Sequence, residues 1–171
     1  MRPAQSGSGP CTASYIGVAL FRESGAYYVP TLSTVNGYRA RLAADPNAYP
    51  PEVLPKILWR ISITGQSLQA AYPAGVRIAF GTDAGVSLHG HNADEFELMV
   101  QYGMTPMAAI QAATVNAADL LGLSAEVGTL EPGKRADLIA VEGDPLTDVT
   151  VLKSVEFVMR DGRIYRHDED L

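Results

Sequence analysis

The chain has few cysteines, few histidines and few basic side chains, and each of these shortages excludes a class of protein. Of its 171 residues only Cys11 is a cysteine, which excludes an intrachain disulfide and a cysteine-based zinc site. Its 3 histidines are too few to form a histidine-rich zinc site easily. The 13 Lys and Arg residues against 19 Asp and Glu residues give a net charge of −6, and no basic face is present that could bind the phosphates of a nucleic acid.

Long apolar runs are absent as well. No stretch approaches the ~20 apolar residues of a membrane span, and residues 1–9 carry no apolar segment of the kind found in secretory signals. We therefore expect a cytoplasmic protein without a membrane partner. Residues 1–17 begin with a segment rich in Ser, Gly and Pro, which predicts a disordered lead-in where Cys11 is a free, uninvolved thiol.

The order of the predicted elements is typical of a parallel α/β sheet. A short helix over 15–24 precedes a strand over 26–29, and a polar connection over 36–51 follows. A longer helix then begins at Glu52 and leads to a second apolar strand over 76–80. Helices that alternate with short apolar strands favour the α/β class.

Two further helices carry recognisable start signals. Asn92 is a typical N-cap, and Glu95 three residues later can complete a capping box. In the second helix, Thr105 is the predicted N-cap and Pro106 occupies the first helical position. We expect this second helix to continue as far as Leu121.

Towards the C-terminus the pattern changes to β-structure. Strands are predicted over 136–141 and 155–160, and the Asp161-Gly162 turn leads into a third short strand. The run over 128–134 has the spacing of a phosphate-binding loop. However, Arg135 stands where that loop needs a Ser or Thr for Mg²⁺, and a strand rather than a helix follows. We interpret the run as a glycine-rich turn.

The strongest functional signal is Asp83, within the run Gly-Thr-Asp-Ala-Gly over 81–85. The run follows the apolar strand over 76–80, and catalytic residues collect at the carboxyl ends of parallel strands. A carboxylate in this place can also serve only to cap a helix or a turn. The loop with two histidines that follows favours the functional interpretation.

These two histidines, His89 and His91, could converge on a metal ion because they are two residues apart. Their place in a polar loop before Asn92 instead favours one imidazole at the mouth of the site and the other in solvent. We expect His167 to be exposed to solvent. No Ser–His–Asp order indicates a catalytic triad.

Several motifs in order resemble the amidohydrolase superfamily, and especially its imidazolonepropionase-like and Xaa-Pro dipeptidase-like metal-dependent hydrolases. They are the runs over 30–32, 81–85, 89–95, 103–106, 112–118, 120–122 and 128–139. The resemblance covers residues 18–166. It implies an α/β fold, the C-terminal part of a (β/α)₈ barrel with a small β-sandwich. In that barrel the strand over 26–31 would be the seventh and the strand over 76–80 the eighth.

The same resemblance implies chemical roles for two residues. Asp83 matches an aspartate that ligates a divalent metal, commonly zinc, and acts as the general base. It takes a proton from metal-bound water and later delivers one to the leaving nitrogen. His89 matches a loop position near the substrate. The implied reaction is hydrolysis of a C–N bond in a small amide, cyclic amide or dipeptide-like substrate.

Other metal ligands of that family, a His-x-His pair, a carboxylated lysine and two further histidines, have no counterpart in this chain. The run over 89–91 does not replace the His-x-His pair, because it follows the eighth strand instead of the first. We therefore expect a partial barrel over 18–126, a β-sandwich portion and tail over 127–171, and no activity of the chain alone. The alternative is a non-catalytic module that associates with itself or with a chain that supplies the missing strands. We also expect a homo-oligomer.

Overall fold

The structure of the protein, a computed structural model, describes residues 12–167. The predictions for Cys11 and for the rest of residues 1–11 lie outside this range. The helices are α1 (Thr12–Ser24), α2 (Thr34–Ala44), α3 (Leu54–Ser62), α4 (Gln66–Ala71), α5 (Asp94–Gln101), α6 (Pro106–Ala113), α7 (Val115–Leu120) and the 3₁₀-helix η1 (Val149–Lys153). The strands are β1 (Tyr27–Tyr28), β2 (Arg77–Ile78), β3 (Leu138–Val141), β4 (Val155–Arg160) and β5 (Arg163–His167). None of these helices is long and apolar enough to cross a membrane.

The two predicted apolar strands pair with each other in parallel. Tyr27 lies opposite Arg77 and Tyr28 opposite Ile78, and the Ala79 amide donates to the Tyr28 carbonyl at 3.1 Å. Parallel strands need a long crossover, which α2, α3 and α4 supply here. The α/β class is therefore confirmed, whereas the numbering of β1 and β2 as the last two strands of a barrel stays a prediction.

The second edge of β2 is covered by the junction between α6 and α7. The Phe80 amide donates to the Ala112 carbonyl at 3.0 Å, and the Asn116 side-chain amide donates to the Ile78 carbonyl at 2.9 Å. The expected single helix from Thr105 to Leu121 is wrong, because it breaks at Thr114, whose φ and ψ are −118° and −93°. The break turns the end of α6 towards β2, where its carbonyl finds a strand amide.

The polar connection expected over 36–51 is also wrong, since α2 occupies its first part. Asn and Gly are poor helix formers, and both occur early in α2. Tertiary contacts stabilise the helix nevertheless: Val35 is 1% exposed, and the Thr34 hydroxyl donates to the Thr31 carbonyl at 2.9 Å.

The helix expected from Glu52 onwards is divided into α3 and α4. Pro55 lies in the first turn of α3, as predicted. The division falls at Gly65, whose φ is 83°. A Cβ atom on Gly65 would lie 2.1 Å from the ring of Tyr102, so this position needs a glycine both for its conformation and for the close approach of the ring.

The core lies between the strand pair and the helices that surround it. Its fully or almost fully buried apolar members are Leu32, Leu68, Ala71, Val76, Ile78, Leu98, Met99, Met104, Ala109 and Ala112. The rings of Phe80 and Phe96 pack 4.5 Å apart between centroids, which fixes α5 against the residues that follow β2. The N-cap of α6 is Thr105, whose hydroxyl accepts from the Ala108 amide at 3.2 Å, as predicted.

The C-terminal part forms a three-stranded antiparallel sheet in the order β3-β4-β5. The predicted strands and hairpin are confirmed, and Asp161 (φ 49°) and Gly162 (φ 74°) form the turn. The run over 128–134 is a turn before β3, as expected. Lys153 ties this part to α5, because its ammonium group donates to Asp94 at 2.9 Å and to Glu97.

Candidate active site at the carboxyl end of the parallel strands

Asp83 lies where the sequence predicts it, just beyond the carboxyl end of β2. The chain passes close to the residues after β1, since a Cβ atom on Gly81 would lie 2.5 Å from the Cγ1 atom of Val29. Asp83 itself has a φ of 51°, in the left-handed region that non-glycine residues rarely adopt. Its side chain is exposed. The arrangement presents a carboxylate to solvent from an uncommon backbone conformation.

The loop that follows Asp83 is held by backbone and side-chain bonds. The Val86 amide donates to the Asp83 carbonyl at 3.1 Å, and the Gly85 amide donates to the Ser87 carbonyl at 2.9 Å. From α2, the Arg41 guanidinium donates to the carbonyls of Gly85 at 3.1 Å and Val86 at 2.7 Å. Helix α2 therefore holds the part of the loop that follows Asp83 in the sequence.

Gly37 allows α2 to approach this loop. A Cβ atom at Gly37 would lie 2.1 Å from the carbonyl oxygen of Val86. Gly37 is buried and lies one helical turn before Arg41, so both residues face the same loop. A side chain at this position would push the loop away from α2.

Glu95 is completely buried and connects α5 to the end of β1. Its two carboxylate oxygens accept from the Leu32 amide at 2.9 Å and the Ser33 amide at 2.7 Å. Burial raises the pKa of Glu95, and the two backbone amide bonds together with a bond from the Ser33 hydroxyl oppose this rise. The predicted capping box of Asn92 and Glu95 is wrong: α5 begins at Asp94, and the Glu95 carboxylate binds a segment more than sixty residues away in sequence.

Thr82, the residue before Asp83, is bonded on two sides. Its carbonyl accepts from the Ser33 hydroxyl at 3.2 Å, and its own hydroxyl accepts from the side-chain amide of Asn92 at 3.1 Å. Asn92 thus holds Thr82 instead of capping α5, and its side-chain oxygen accepts from the Gly90 amide at 3.3 Å. These bonds join the ends of β1 and β2 to the histidine loop.

The histidines do not gather into one cluster. His89 lies in the exposed loop between Asp83 and α5, six residues after Asp83. His91 is exposed too, with its Nδ1 atom 3.9 Å from the carboxylate of Asp94. His167 is exposed at the end of β5, as expected, with its ring edge-on to Phe157 at 5.7 Å between centroids.

A complete metal site is not present in the part of the chain that the structure describes. Within residues 12–167 no group of three His, Cys, Asp or Glu side chains could hold a metal ion. Asp83 offers one carboxylate, whereas a catalytic zinc ion takes three protein ligands. The described residues therefore do not fit, by themselves, the metal centre that the resemblance implies.

The amino end of the strand pair is closed by polar side chains. Asp119 of α7 accepts from the Tyr27 hydroxyl at 2.7 Å and forms an ion pair with Arg77. The hydrogen bonds from Tyr27 and Arg77 lower the pKa of Asp119. At the carboxyl end of the pair, the exposed residue Asp83 follows β2.

Sequence reasoning missed the residues that support Asp83, above all Ser33, Arg41 and the true role of Glu95. One signal for Glu95 was present. It precedes Leu98 and Met99 by three and four residues, so it lies on the apolar face of α5, where an unpaired carboxylate is costly. Ser33 and Arg41 carry no comparable signal, since polar residues after a strand or on a helix are common.

Comparison with known proteins finds a matching family and similar sequences. Residues 14–165 match the Amidohydrolase family. An ochratoxinase of Aspergillus niger is 36% identical over 152 residues, which are 86% of this chain and 31% of that protein. An imidazolonepropionase of Geobacillus kaustophilus is 40% identical over 73 residues, 37% of this chain and 17% of that protein.

A solved structure is similar over most of the chain. The crystal structure of a Xaa-Pro dipeptidase with bound methionine in the active site has a TM-score of 0.83 and 44% sequence identity. The match covers 88% of this chain and 37% of that one. The chain thus spans about a third of the length of the ochratoxinase and of the dipeptidase that it matches. Because the family match extends over most of its residues, the chain belongs to the amidohydrolase family.

Proposed function

We propose that the chain is the part of an amide hydrolase that supplies its catalytic carboxylate, Asp83. The observation that carries this proposal is the exposed carboxylate at the carboxyl end of β2, held in a left-handed conformation. The family membership supports hydrolysis as the reaction. The names of the relatives favour small amide substrates, such as dipeptides that end in proline or ochratoxin-like amides.

Asp83 is proposed to move a proton during C–N cleavage. A water oxygen attacks the carbonyl carbon of the amide, and the Asp83 carboxylate takes a proton from that water. As the C–N bond breaks, the same proton passes to the leaving nitrogen, so that an acid and an amine are released. A carboxylate in hydrogen-bonding reach of both atoms performs general base and then general acid catalysis.

His89 is proposed to contact the substrate, since it belongs to the exposed loop that follows Asp83. A divalent metal, zinc by family resemblance, is proposed for the complete site, with Asp83 as one ligand. The described residues supply no three-ligand set, so further ligands have to come from outside residues 12–167. We therefore propose that the chain alone is inactive; its cytoplasmic location stays a prediction.

Two assays test the proposal. The purified 171-residue chain is incubated with Zn²⁺ and a panel of Xaa-Pro dipeptides, and no turnover is expected. Residues 14–165 then replace the matching part of the Xaa-Pro dipeptidase that shares 44% identity. Turnover by this chimaera is expected, together with its loss on Asp83→Asn substitution.

Asp161→Asn is the matched control for Asp83→Asn. Asp161 is also an exposed aspartate in the left-handed region, with a φ of 49°, but it lies in the β4–β5 hairpin. The Asp161 variant of the chimaera is expected to keep its turnover. Equal turnover of the Asp83 variant and its parent would disprove the catalytic role, and turnover by the isolated chain would disprove its inactivity.

The alternative, a non-catalytic module that associates with itself or with a complementary chain, is favoured by one observation. A groove of about 700 Å³ lies between α6, α7 and β3. Leu121, Leu130 and Ile139 line it and are 69%, 77% and 54% exposed. Exposed apolar patches of this kind mark interaction sites. Sedimentation of the purified chain tests the alternative, which predicts that the chain forms an oligomer. It also predicts that the chimaera shows no zinc-dependent turnover.

A further inference from the structure

We infer that Glu95 and Ser33 form a positioning relay that fixes the backbone conformation of Asp83. The inference rests on the proposed function only in calling Asp83 catalytic, because the relay itself consists of contacts in this chain. Glu95 and Ser33 are positioning residues: they act on Asp83 through the backbone of Thr82.

The first step of the relay is the bond of Glu95 to the end of β1. Glu95 is 0% exposed and Ser33 1% exposed, so neither group can replace these bonds with bonds to water. Both carboxylate oxygens are used, one on the Leu32 amide and one on the Ser33 amide. Two bonds from adjacent backbone amides hold the buried carboxyl group in one orientation. They fix the place of Ser33 relative to α5.

The second step passes from Ser33 to the peptide bond that precedes Asp83. The Ser33 hydroxyl donates to the Thr82 carbonyl at 3.2 Å. This carbonyl and the Asp83 amide belong to one planar peptide group. A bond to the oxygen therefore restricts the orientation of the whole plane, and with it rotation about φ of Asp83.

The conformation that the relay fixes is one that aspartate does not hold readily. The φ of 51° at Asp83 lies in the left-handed region, where L-residues other than Gly persist when the surroundings impose it. Asn92 adds a second restraint through the Thr82 hydroxyl. An apolar residue in place of Glu95 would fill the same space, but it would leave the amides of Leu32 and Ser33 without their acceptor and release the relay.

Nuclear magnetic resonance of the labelled 171-residue chain tests the relay without any substrate. The readouts are the Cα and Cβ shifts of Asp83 and its amide-to-Hα coupling, which report φ. Asp161, left-handed as well, serves as an internal reference in the same spectra. Ser33→Ala removes the hydroxyl, and with it the bond to the Thr82 carbonyl and the hydroxyl's own bond to the Glu95 carboxylate. It keeps the backbone amide that Glu95 binds. Glu95→Gln keeps one acceptor oxygen and turns the other into a donor that faces an amide.

In both variants the left-handed signature of Asp83 is expected to be lost and that of Asp161 to persist. Glu95→Gln is also expected to move the amide shifts of Leu32 and Ser33, since it changes the group that accepts from both amides. These two shifts are not compared in Ser33→Ala, because that variant replaces residue 33 itself. Met99→Ala, a buried apolar change on the same helix, controls for loss of stability and is expected to leave the Asp83 signals in place.

Unchanged Asp83 signals in Ser33→Ala would overturn the relay, and so would an equal change in Met99→Ala. If Glu95→Gln fails to fold, Ser33→Ala and its control Met99→Ala still show whether the relay fixes the conformation of Asp83. Because no step measures hydrolysis, a failure of the proposed function is seen separately, in the chimaera.

Discussion

Replacing Gly37 with alanine should destabilise the chain, although alanine is the better helix former. Gly37 lies within α2, and a Cβ atom there would lie 2.1 Å from the Val86 carbonyl oxygen and 2.8 Å from its carbonyl carbon. An ordinary contact needs 3.4 Å or more. The atom that must give way belongs to the backbone and cannot rotate aside, so the loop after Asp83 has to move.

The expected size follows from two opposing terms. Overpacking of a close contact costs about 1–3 kcal/mol, whereas exchange of Gly for Ala within a helix gains about 0.8–1.0 kcal/mol. Movement of the loop also weakens the bonds from Arg41 to the carbonyls of Gly85 and Val86. We expect a net loss of about 1–2 kcal/mol in the free energy of unfolding. At about 2–4 °C per kcal/mol for a chain of this size, Tm should fall by several degrees.

Urea unfolding followed by circular dichroism measures this loss, and Gly17→Ala is the matched control. Gly17 lies within α1 with no atom within 4 Å of a Cβ at this position. Alanine at residue 17 should therefore raise stability by up to about 1 kcal/mol. A rise in stability of similar size in Gly37→Ala would refute the reasoning, because it would mean that the approach of α2 to the loop is not close.

Three further outcomes are expected from the same unfolding assay. Thr105→Ala removes the side-chain cap of α6 and should cost about 1 kcal/mol, and Thr105→Ser should restore most of it. Lys153→Met should cost about 0.5–1 kcal/mol, because half-exposed ion pairs with Asp94 and Glu97 contribute little and are screened by salt. The parent chain should have a higher free energy of unfolding than Glu95→Gln, and this difference should grow as the pH falls towards 4.5, the ordinary pKa of Glu.

The sign of the pH effect follows from the raised pKa of Glu95. The native state binds the Glu95 proton more tightly than the unfolded state does. The stability that this tighter binding contributes is therefore lost as the pH rises through the pKa of Glu95 in the folded chain. If the difference in the free energy of unfolding between the parent chain and Glu95→Gln shrinks as the pH falls, burial does not raise the pKa of Glu95. The pKa of Lys153 is raised by its bonds to Glu97 and Asp94. The contribution of these ion pairs to the free energy of unfolding should therefore vanish as the pH rises through that raised pKa. A salt-independent effect of Lys153→Met would point to lost packing instead.

Structural features that depend on residues close together in the sequence were predicted well. The parallel strands, the Thr105 cap and the hairpin at residues 161–162 each depend on a few adjacent residues whose propensities agree with the fold. The position of Asp83 after β2 was predicted for the same reason: an apolar run that ends in glycine and aspartate fixes where the carboxylate emerges. Its role in catalysis stays a prediction.

Features that depend on distant contacts were not predicted. Helix α2 forms around Asn36 and Gly37 because it packs against the loop after β2, and the break at Gly65 exists because the Tyr102 ring lies against it. Glu95 has the spacing of a capping residue, but its partners are Leu32 and Ser33, sixty-three and sixty-two residues away. Such partners become visible only when the topology is known.

The covered edge of β2 limits how copies of this chain can assemble through the parallel pair. Ala112 and Asn116 already occupy that edge, and within the described range no strand other than β2 pairs with β1. A new strand can therefore join only along β1. When β1 of one copy meets β1 of another, the contact is isologous and consumes the free edge of both. Growth through this sheet would then stop at two copies, and the α6–α7 junction would prevent open-ended, fibre-like polymerisation along these strands.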